Sequence, residues 1–488
     1  MHVPGEAGPG TGHAVAIVGA ALRFPGASDP SSFFELTVAG RRMFRDRAAL
    51  LDDGSVAQVS DTELPRGITA RHALAAETAA DALADVPDAG RDVAPERIGV
   101  FIAEIPEPGA ADVRDWVRRR LGLLTGGHGA GKASPGSRKG ALAGRNGGQK
   151  PAGASVHDLI FGTIGLMGRR HPASVNGTES DGTNLRSTTL KAAGRDGAEA
   201  GVAGRDGFHC SLRAVTAACE ALNSGEFDLV LAGGVTKGAG APAGERAVPA
   251  AGPDVEQVRV YDASPTGTLP GEGCGFVALV RAADARAAEV PCYAEIVGWH
   301  AAGPAASQQP ELTAAYLRAG VDPADIQYVE GHGAATAADD LAELTALLEV
   351  LGSRATDPGC RCALGSVSAN IGDTRAAAGV AALLKAAFAM TADVIPPSTG
   401  CVRPNRLLRG DAVPFRFLDC PEQWPQTPVQ FAAVNTLGTA PHPDAPRSGA
   451  VHVMLRRDRD PARRPGRRRK PVVLPAAAAG ASAASEPG

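Results

Sequence analysis

Short apolar runs alternate with helix-patterned stretches along most of this chain, and that alternation constrains the fold more than any other feature. Residues 14–20, "AVAIVGA", have the length and the terminal glycine of a buried strand. "DPSSFFELTVAG" follows with capping residues and an apolar face, which predicts a helix. "ARHALAAETAADALADV" predicts a second helix, and "RIGVFIAEI" a buried strand after it. The stretch 204–235, "GRDGFHCSLRAVTAACEALNSGEFDLVLAGGV", reads as loop, helix and strand. Leu212, Val215, Cys219 and Leu222 recur there at helical spacing, and "NSGE" breaks the helix before "FDLVLAGGV". A strand pair with a Gly-rich turn is expected over 257–281, "QVRVYDASPTGTLPGEGCGFVALVR". The C-terminal half repeats the rhythm with helix "ELTAAYLRAG", strand "IQYVEGHG" and helix "DDLAELTALLEVLG". Strand-like "CALGSVSAN", helix "RAAAGVAALLKAAFAM" and strands near 428–435 and 449–456 complete it. Strands and helices alternating in two similar halves predict a layered α/β fold.

At 488 residues the chain is long for one core, so two halves are expected on length as well. Gly 61 and Pro 37 amount to a fifth of the chain and imply many turns. A net charge of −4 gives no global signal for nucleic acid or membrane. Eight cysteines at irregular spacing are too few for a disulfide scaffold. Cys360 and Cys362 form a lone C-x-C with no second pair, so no metal site is expected. No cofactor is expected either. Gly126 with Gly131-Lys132 has phosphate-loop spacing, but Ala133 stands where a Ser or Thr is needed and no strand leads in. "MHVPGEAGPGTGH" lacks the apolar core of a signal peptide, and no apolar run reaches the roughly 18 residues of a membrane helix. A cytoplasmic protein is therefore expected. The expected boundaries are a disordered 1–12, a first half 13–285 with a low-complexity insertion 124–154, a second half 286–456, and a basic, Ala/Pro-rich disordered tail 457–488.

Several phrases resemble the β-ketoacyl synthase family, the condensing enzymes of fatty-acid and polyketide assembly. They are "VAIVGAALRFPGASDPSSFFEL", "ACEALNSGEFDLVLAGGV", "YDASPTGTLPGEGCGFVALVR", "VEGHGAAT", "ALGSVSANIGDTRAAAGVAALLKA" and "IPPSTGCVRPN", and together they cover about residues 13–455. "PTGTLPGEGCG" and "STGCV" look most like ketosynthase regions of enediyne polyketide synthases. The resemblance implies a thiolase-like fold, with duplicated five-stranded halves in a five-layer α-β-α-β-α sandwich. It also implies dimers and acyl chains delivered as thioesters on an acyl carrier protein. The family chemistry is decarboxylative condensation: a Cys thiolate takes the acyl group, two His residues assist loss of carbon dioxide, and a Lys supports them.

Carried over position by position, that chemistry is depleted. Counting back without gaps from Ser224-Gly225-Glu226 puts the nucleophile position on Phe208, which has no lone pair to attack a thioester. Cys210 is the alternative nucleophile. It needs a two-residue deletion in the first helical turn, which rotates the apolar face by about 200°. In its favour, a thiol near a helix start has a lowered pKa, and His209 is adjacent. "VEGHGAAT" keeps the first family His as His332, with Thr336 and Glu343 also in place. In "GSVSANIGDTRAAAG", Ser368 stands at the family Lys, Asp373 at the second His, and Arg375 at a common Glu. An ionised Asp only accepts hydrogen bonds, so Asp373 cannot donate to an enolate oxygen. The C-terminal Phe-Gly-Phe-Gly-Gly loop reads Leu437 to Pro441, "LGTAP", and the Asn-Ala-His after it is missing. Pro441 has no backbone N–H to offer there.

The leading expectation is a pseudoenzyme that keeps the ketosynthase scaffold and acts like a chain-length factor or scaffold for an active ketosynthase. Its expected partners are an acyl carrier protein and either a second copy or an active ketosynthase in a heterodimer, with no nucleic acid and no membrane. The alternative is an active synthase, acyltransferase or decarboxylase using Cys210, or His332 with Asp373. A third reading is a carrier-docking module whose basic tail meets an acidic carrier protein.

Overall fold

The computed structural model describes residues 13–45, 48–51, 68–104, 112–123, 210–237, 257–301, 309–352, 361–410, 413–437 and 449–459. Phe208, His209, the insertion 124–154, Cys360, Thr439 and Pro441 lie outside the described residues.

The strands are β1 (Val15–Arg23), β2 (Ile98–Ala103), β3 (Leu229–Thr236), β4 (Gly273–Arg281), β5 (Glu295–Ala301), β6 (Tyr328–Glu330) and β7 (Cys362–Gly365). After them come β8 (Val394–Ile395), β9 (Phe415–Arg416), β10 (Glu422–Gln423), β11 (Val429–Thr436) and β12 (Val451–Asp458). The helices are α1 (Pro30–Val38), α2 (Ala70–Ala84), α3 (Asp88–Arg91), α4 (Val113–Arg120) and α5 (Ser211–Asn223). The second half adds α6 (Ala282–Ala287), α7 (Gln309–Ala319), α8 (Ala337–Leu351), α9 (Ser368–Ile371) and α10 (Ala378–Ala392).

Helix starts follow the local chemistry. Asp29 accepts from the Ser31 and Ser32 N–H groups at the head of α1, and Ser32 returns a bond to the Asp29 N–H. Thr336 caps α8 by accepting the Asp339 N–H at 3.1 Å. "NSGE" ends α5 as the sequence predicts, with Gly225 at φ 75°, where a side chain would be strained.

Among the described residues, ten strands join in the order β2-β3-β4-β1-β5-β12-β11-β6-β7-β9. The duplication is visible in the pairing. Going outward from the centre, β1–β4 and β4–β3 are antiparallel and β3–β2 is parallel. From β5 outward, β5–β12 and β12–β11 are antiparallel and β11–β6 is parallel. Each half therefore starts at the seam with its first strand. The expected pair of five-stranded sheets is corrected in detail: Val15↔Ile296 and Ala16↔Glu295 pair across the seam, so the halves form one continuous run.

Helices cover both faces, giving the five layers of the thiolase-like fold. α2 packs on β1, β3 and β4 on one outer face, and α7 on β5 and β12 on the other. Between them α5 lies on β2 and β3, α10 on β11 and β6, and the two helices touch. Strand residues alternate accordingly: Val230 and Ala232 of β3 face the central core with Leu212, Val215, Val380 and Phe388. Leu229 and Leu231 face the outer core with Leu74 and Leu83. A strand covered on both faces has no polar side, which is why these runs read as continuously apolar.

Four points differ from the sequence reading. Residues 257–261 form no strand among the described residues, so the expected strand pair reduces to β4; the preceding segment is held instead by an isolated bridge, with Ala263 N–H on the Arg403 carbonyl and Asn405 N–H on the Tyr261 carbonyl. β5, whose "EIVGWHA" pairs with β12, and α4 were not read from the sequence. The chain beyond Arg456 begins ordered, because β12 runs to Asp458 and Arg459 pairs with Asp393 at 2.7 Å. One helical stretch, Arg375–Ala392, does have the length and apolarity of a membrane span, against expectation. It is 78% buried within the protein, as a helix packed on all sides must be.

Candidate active site

Cys210 precedes α5 with extended backbone and caps it, its sulfur accepting the Leu212 N–H at 3.4 Å. The thiol donates to Thr436 Oγ1, at the end of β11, at 3.2 Å. The next residue, Ser211, accepts the Val380 N–H at 2.7 Å and so ties the head of α5 to the head of α10. That approach is close enough to require Gly379: a Cβ there would stand 2.5 Å from Cys210 Sγ and 2.4 Å from the Leu212 nitrogen. The ends of two central helices and one central strand thus meet at the thiol.

The expected lowering of the Cys210 pKa is overturned. Burial pushes the thiol up, against the pull of Thr436 and of the Leu212 and Arg213 N–H groups. A helix start favours the thiolate only while water or a counter-charge also stabilises it. The structure also bears on the alignment. The first turn of α5 begins at Ser211, so Cys210 precedes the turn that the deletion was expected to disrupt.

His332 lies in the loop 331–336 between β6 and α8. Its N–H and that of Gly333 donate to Glu343 Oε1 and Oε2 at 2.7 and 3.0 Å. The same carboxylate accepts the Tyr261 hydroxyl at 2.9 Å and Asn435 Nδ2 at 2.7 Å. Asn435 is the neighbour of Thr436, so a short chain of contacts runs from Cys210 through β11 and Glu343 to the His332 backbone. Ser368 joins the same loop, its hydroxyl donating to the His332 carbonyl at 3.0 Å beside Ser366 at 2.7 Å. Ser368, expected at the lysine position of the resemblance, is a hydroxyl bonded to backbone.

Asp373 sits on the neighbouring turn. Its backbone pairs with Leu269 and Gly271, and its Oδ1 accepts the Arg375 N–H at 2.9 Å. Gly372 at φ 72° and Arg375 at φ 46° make this a sharp reversal. Thr374 then takes the Thr236 hydroxyl on its carbonyl at 2.7 Å. One Asp373 oxygen is thus occupied in shaping the entry to α10. Hydrogen bonds connect Cys210, through neighbouring Thr436 and Asn435 and through Glu343, to the His332 backbone and on to Ser368; Asp373 lies on the turn after α9, and Phe208 lies outside the described residues.

Sequence reading missed the group beneath this site. Lys385 on α10 pairs with Glu330 on β6 at 2.9 Å, with side chains 1% and 0% exposed. Tyr328 donates to the same Glu330 oxygen, and the other oxygen accepts the Val367 N–H at 2.5 Å. The signal was present as a lone charge inside each of two apolar runs, "AALLKAAFAM" and "IQYVEGHG". A histidine also follows the C-terminal loop after all. His452 lies opposite Asn435 in the β11–β12 register, with Nδ1 3.4 Å from Asn435 Oδ1.

Comparison with known proteins agrees with this architecture. Residues 210–285 match the β-ketoacyl synthase N-terminal domain model and residues 293–401 the β-ketoacyl synthase C-terminal domain model. The mycoketide-CoA synthase of Mycobacterium tuberculosis is 30% identical over 238 residues, covering 44% of this chain and 5% of that protein. The highly reducing polyketide synthase sorA of Penicillium rubens is 32% identical over 237 residues, covering 46% of this chain and 9% of that protein. This chain therefore spans a small fraction of these curated relatives. Among solved structures, the ketosynthase from module 6 of the Bacillus subtilis bacillaene synthase superposes with a TM-score of 0.60 at 22% identity, covering 91% of this chain and 72% of that one. The oxazolomycin ketosynthase domain OzmH KS7 of Streptomyces albus gives 0.61 at 23% identity, covering 92% and 76%. At that identity the superpositions establish the fold.

Proposed function

Because the chain belongs to the β-ketoacyl synthase family, we propose that it serves polyketide biosynthesis as a ketosynthase-like partner deficient in decarboxylative condensation. The observation that carries this reading is the second-His position. It holds Asp373, a carboxylate with one oxygen on the Arg375 N–H, and it cannot donate to a developing enolate. Two features support it: Ser368 serves the His332 backbone in place of a lysine, and burial holds the Cys210 thiol protonated. The role is that of a chain-length factor or scaffold, pairing with itself or an active ketosynthase in the cytoplasm and meeting acyl carrier protein. "PTGTLPGEGCG" and "STGCV" favour an enediyne-type system.

The test is intact-mass spectrometry after mixing the protein with acyl-carrier-protein thioesters. No covalent acyl adduct is expected; an adduct overturns the reading. One observation favours a second reading, an active thiol enzyme: Cys210 stands directly before α5, where a nucleophile meets the helix N–H groups. Cys210→Ala then abolishes turnover, and unchanged product formation excludes the thiol.

A further inference from the structure

Two non-glycine residues in the left-handed region lean on one carboxylate. Tyr261 has φ 53° and Ala335 φ 57°, conformations that carry strain in any residue with a Cβ. The Tyr261 N–H donates to Asp340 Oδ2 at 2.8 Å, and the Ala335 N–H to Asp340 Oδ1 at 3.0 Å. Asp340 is 1% exposed in the first turn of α8. One turn later Glu343 holds the other ends of the same two segments, the Tyr261 hydroxyl and the His332 and Gly333 N–H groups. The two carboxylates therefore bind the Tyr261 turn to the His332 loop along one helix face.

We propose that Asp340 is a positioning residue that clamps the His332 loop to the Tyr261 turn, one segment on each carboxylate oxygen, and that proton uptake on either oxygen loosens the clamp. Protonation takes one of an oxygen's two lone pairs and removes its charge, so the N–H bond on that oxygen loses its charge assistance and one strained turn is held more weakly, while the bond on the other oxygen stays in place. The groups facing Asp340 make that protonation accessible. Glu343 and Asp339 lie on its own helix, the Tyr261 hydroxyl across from it, and the Cys401 thiol on the adjoining segment, and all are acids. Arg406, on the turn packed against α8, is exposed. Burial, reinforced by the Glu343 and Asp339 charges, pushes the Asp340 carboxyl up to about 7 against the pull of its two N–H donors.

The sign is distinctive. With its pKa raised in the folded protein, Asp340 binds more protons folded than unfolded, so ionising it as pH rises through about 7 lowers global stability. The same ionisation completes both N–H bonds. Local order at the clamp and global stability therefore move in opposite directions.

The experiment is hydrogen exchange of the full chain, read by mass spectrometry on peptides covering Tyr261 and Ala335 and corrected for intrinsic rates. From about pH 5.5 to about pH 8, protection there is expected to rise about tenfold in the wild type and stay flat in Asp340→Asn. Over the same range, the thermal stability of Asp340→Asn relative to wild type is expected to grow. Flat protection in the wild type overturns the proposal, and so does a rise that persists in the variant. The wild-type profile stands alone if the variant does not fold. Neither readout needs turnover, so the clamp can fail while the condensation reading survives, and the reverse.

Discussion

The sulfur of Cys210 has a donor on one side, the Leu212 N–H, and an acceptor on the other, Thr436 Oγ1, within a closed contact against Gly379. With the thiol held protonated by burial, alkylation is expected to be slow at neutral pH. Iodoacetamide labelling followed by peptide mass mapping should modify the exposed Cys420 first and the half-buried Cys210 far later; equal rates would contradict a thiol held protonated. Gly379→Ala forces a methyl group onto that sulfur and a backbone nitrogen. It is expected to destabilise the fold by about 3 kcal/mol, measured by chemical denaturation. Motif position singled out His332, Asp373 and Ser368, and the structure adds that Ser368 donates to the His332 carbonyl. The state of the thiol was not legible in this way, because it depends on what closes over it. Segments far apart in sequence, around Gly379 and Thr436, do that.

At the scale of elements, the central layer is the informative one. α5 shows its apolar face as periodicity alone predicted, with Leu212, Val215, Cys219 and Leu222 all fully buried. α10 is apolar on every side and yet carries Lys385, whose ammonium meets Glu330 of β6 inside the protein. A buried pair of this kind costs more to break than to replace. Lys385→Met alone is expected to cost about 3–5 kcal/mol by leaving Glu330 charged and unpaired. Lys385→Met combined with Glu330→Gln should recover part of that loss in denaturant titrations, because the introduced amide is neutral and its oxygen can still accept the Val367 N–H. Equal losses in the single and double variants would show that the pair is not coupled. The helix was legible in sequence; its charged partner was not, since only parallel pairing of β6 between β11 and β7 brings Glu330 beneath α10.

Across the whole molecule, two buried groups pull the stability curve in opposite senses. Burial holds the His452 pKa down at about 3, so His452 is neutral in the fold and must charge on acid unfolding. A histidine lowered in this way contributes stability above its unfolded pKa of about 6.5 and loses it as pH falls towards 3, at up to about 1.4 kcal/mol per pH unit. Thermal melts across that range should show the acid decline flattened in His452→Gln, whereas an unchanged slope would assign the decline elsewhere. Asp340 acts with the opposite sign near neutrality. Alternating periodicity, strand length and two repeated halves were enough to define the layered α/β architecture, because each strand and helix is specified by its own side chains and by what water excludes. The motifs likewise named the positions on which the proposed loss of condensation rests. Tertiary packing alone decided the joining of the halves through β1 and β5, the approach of Thr436 and Gly379 to the Cys210 sulfur, the Lys385–Glu330 pair and the Asp340 clamp. Each of these depends on groups distant in sequence sharing one low-dielectric space, where burial, and not residue type, sets charge state and hydrogen bonding.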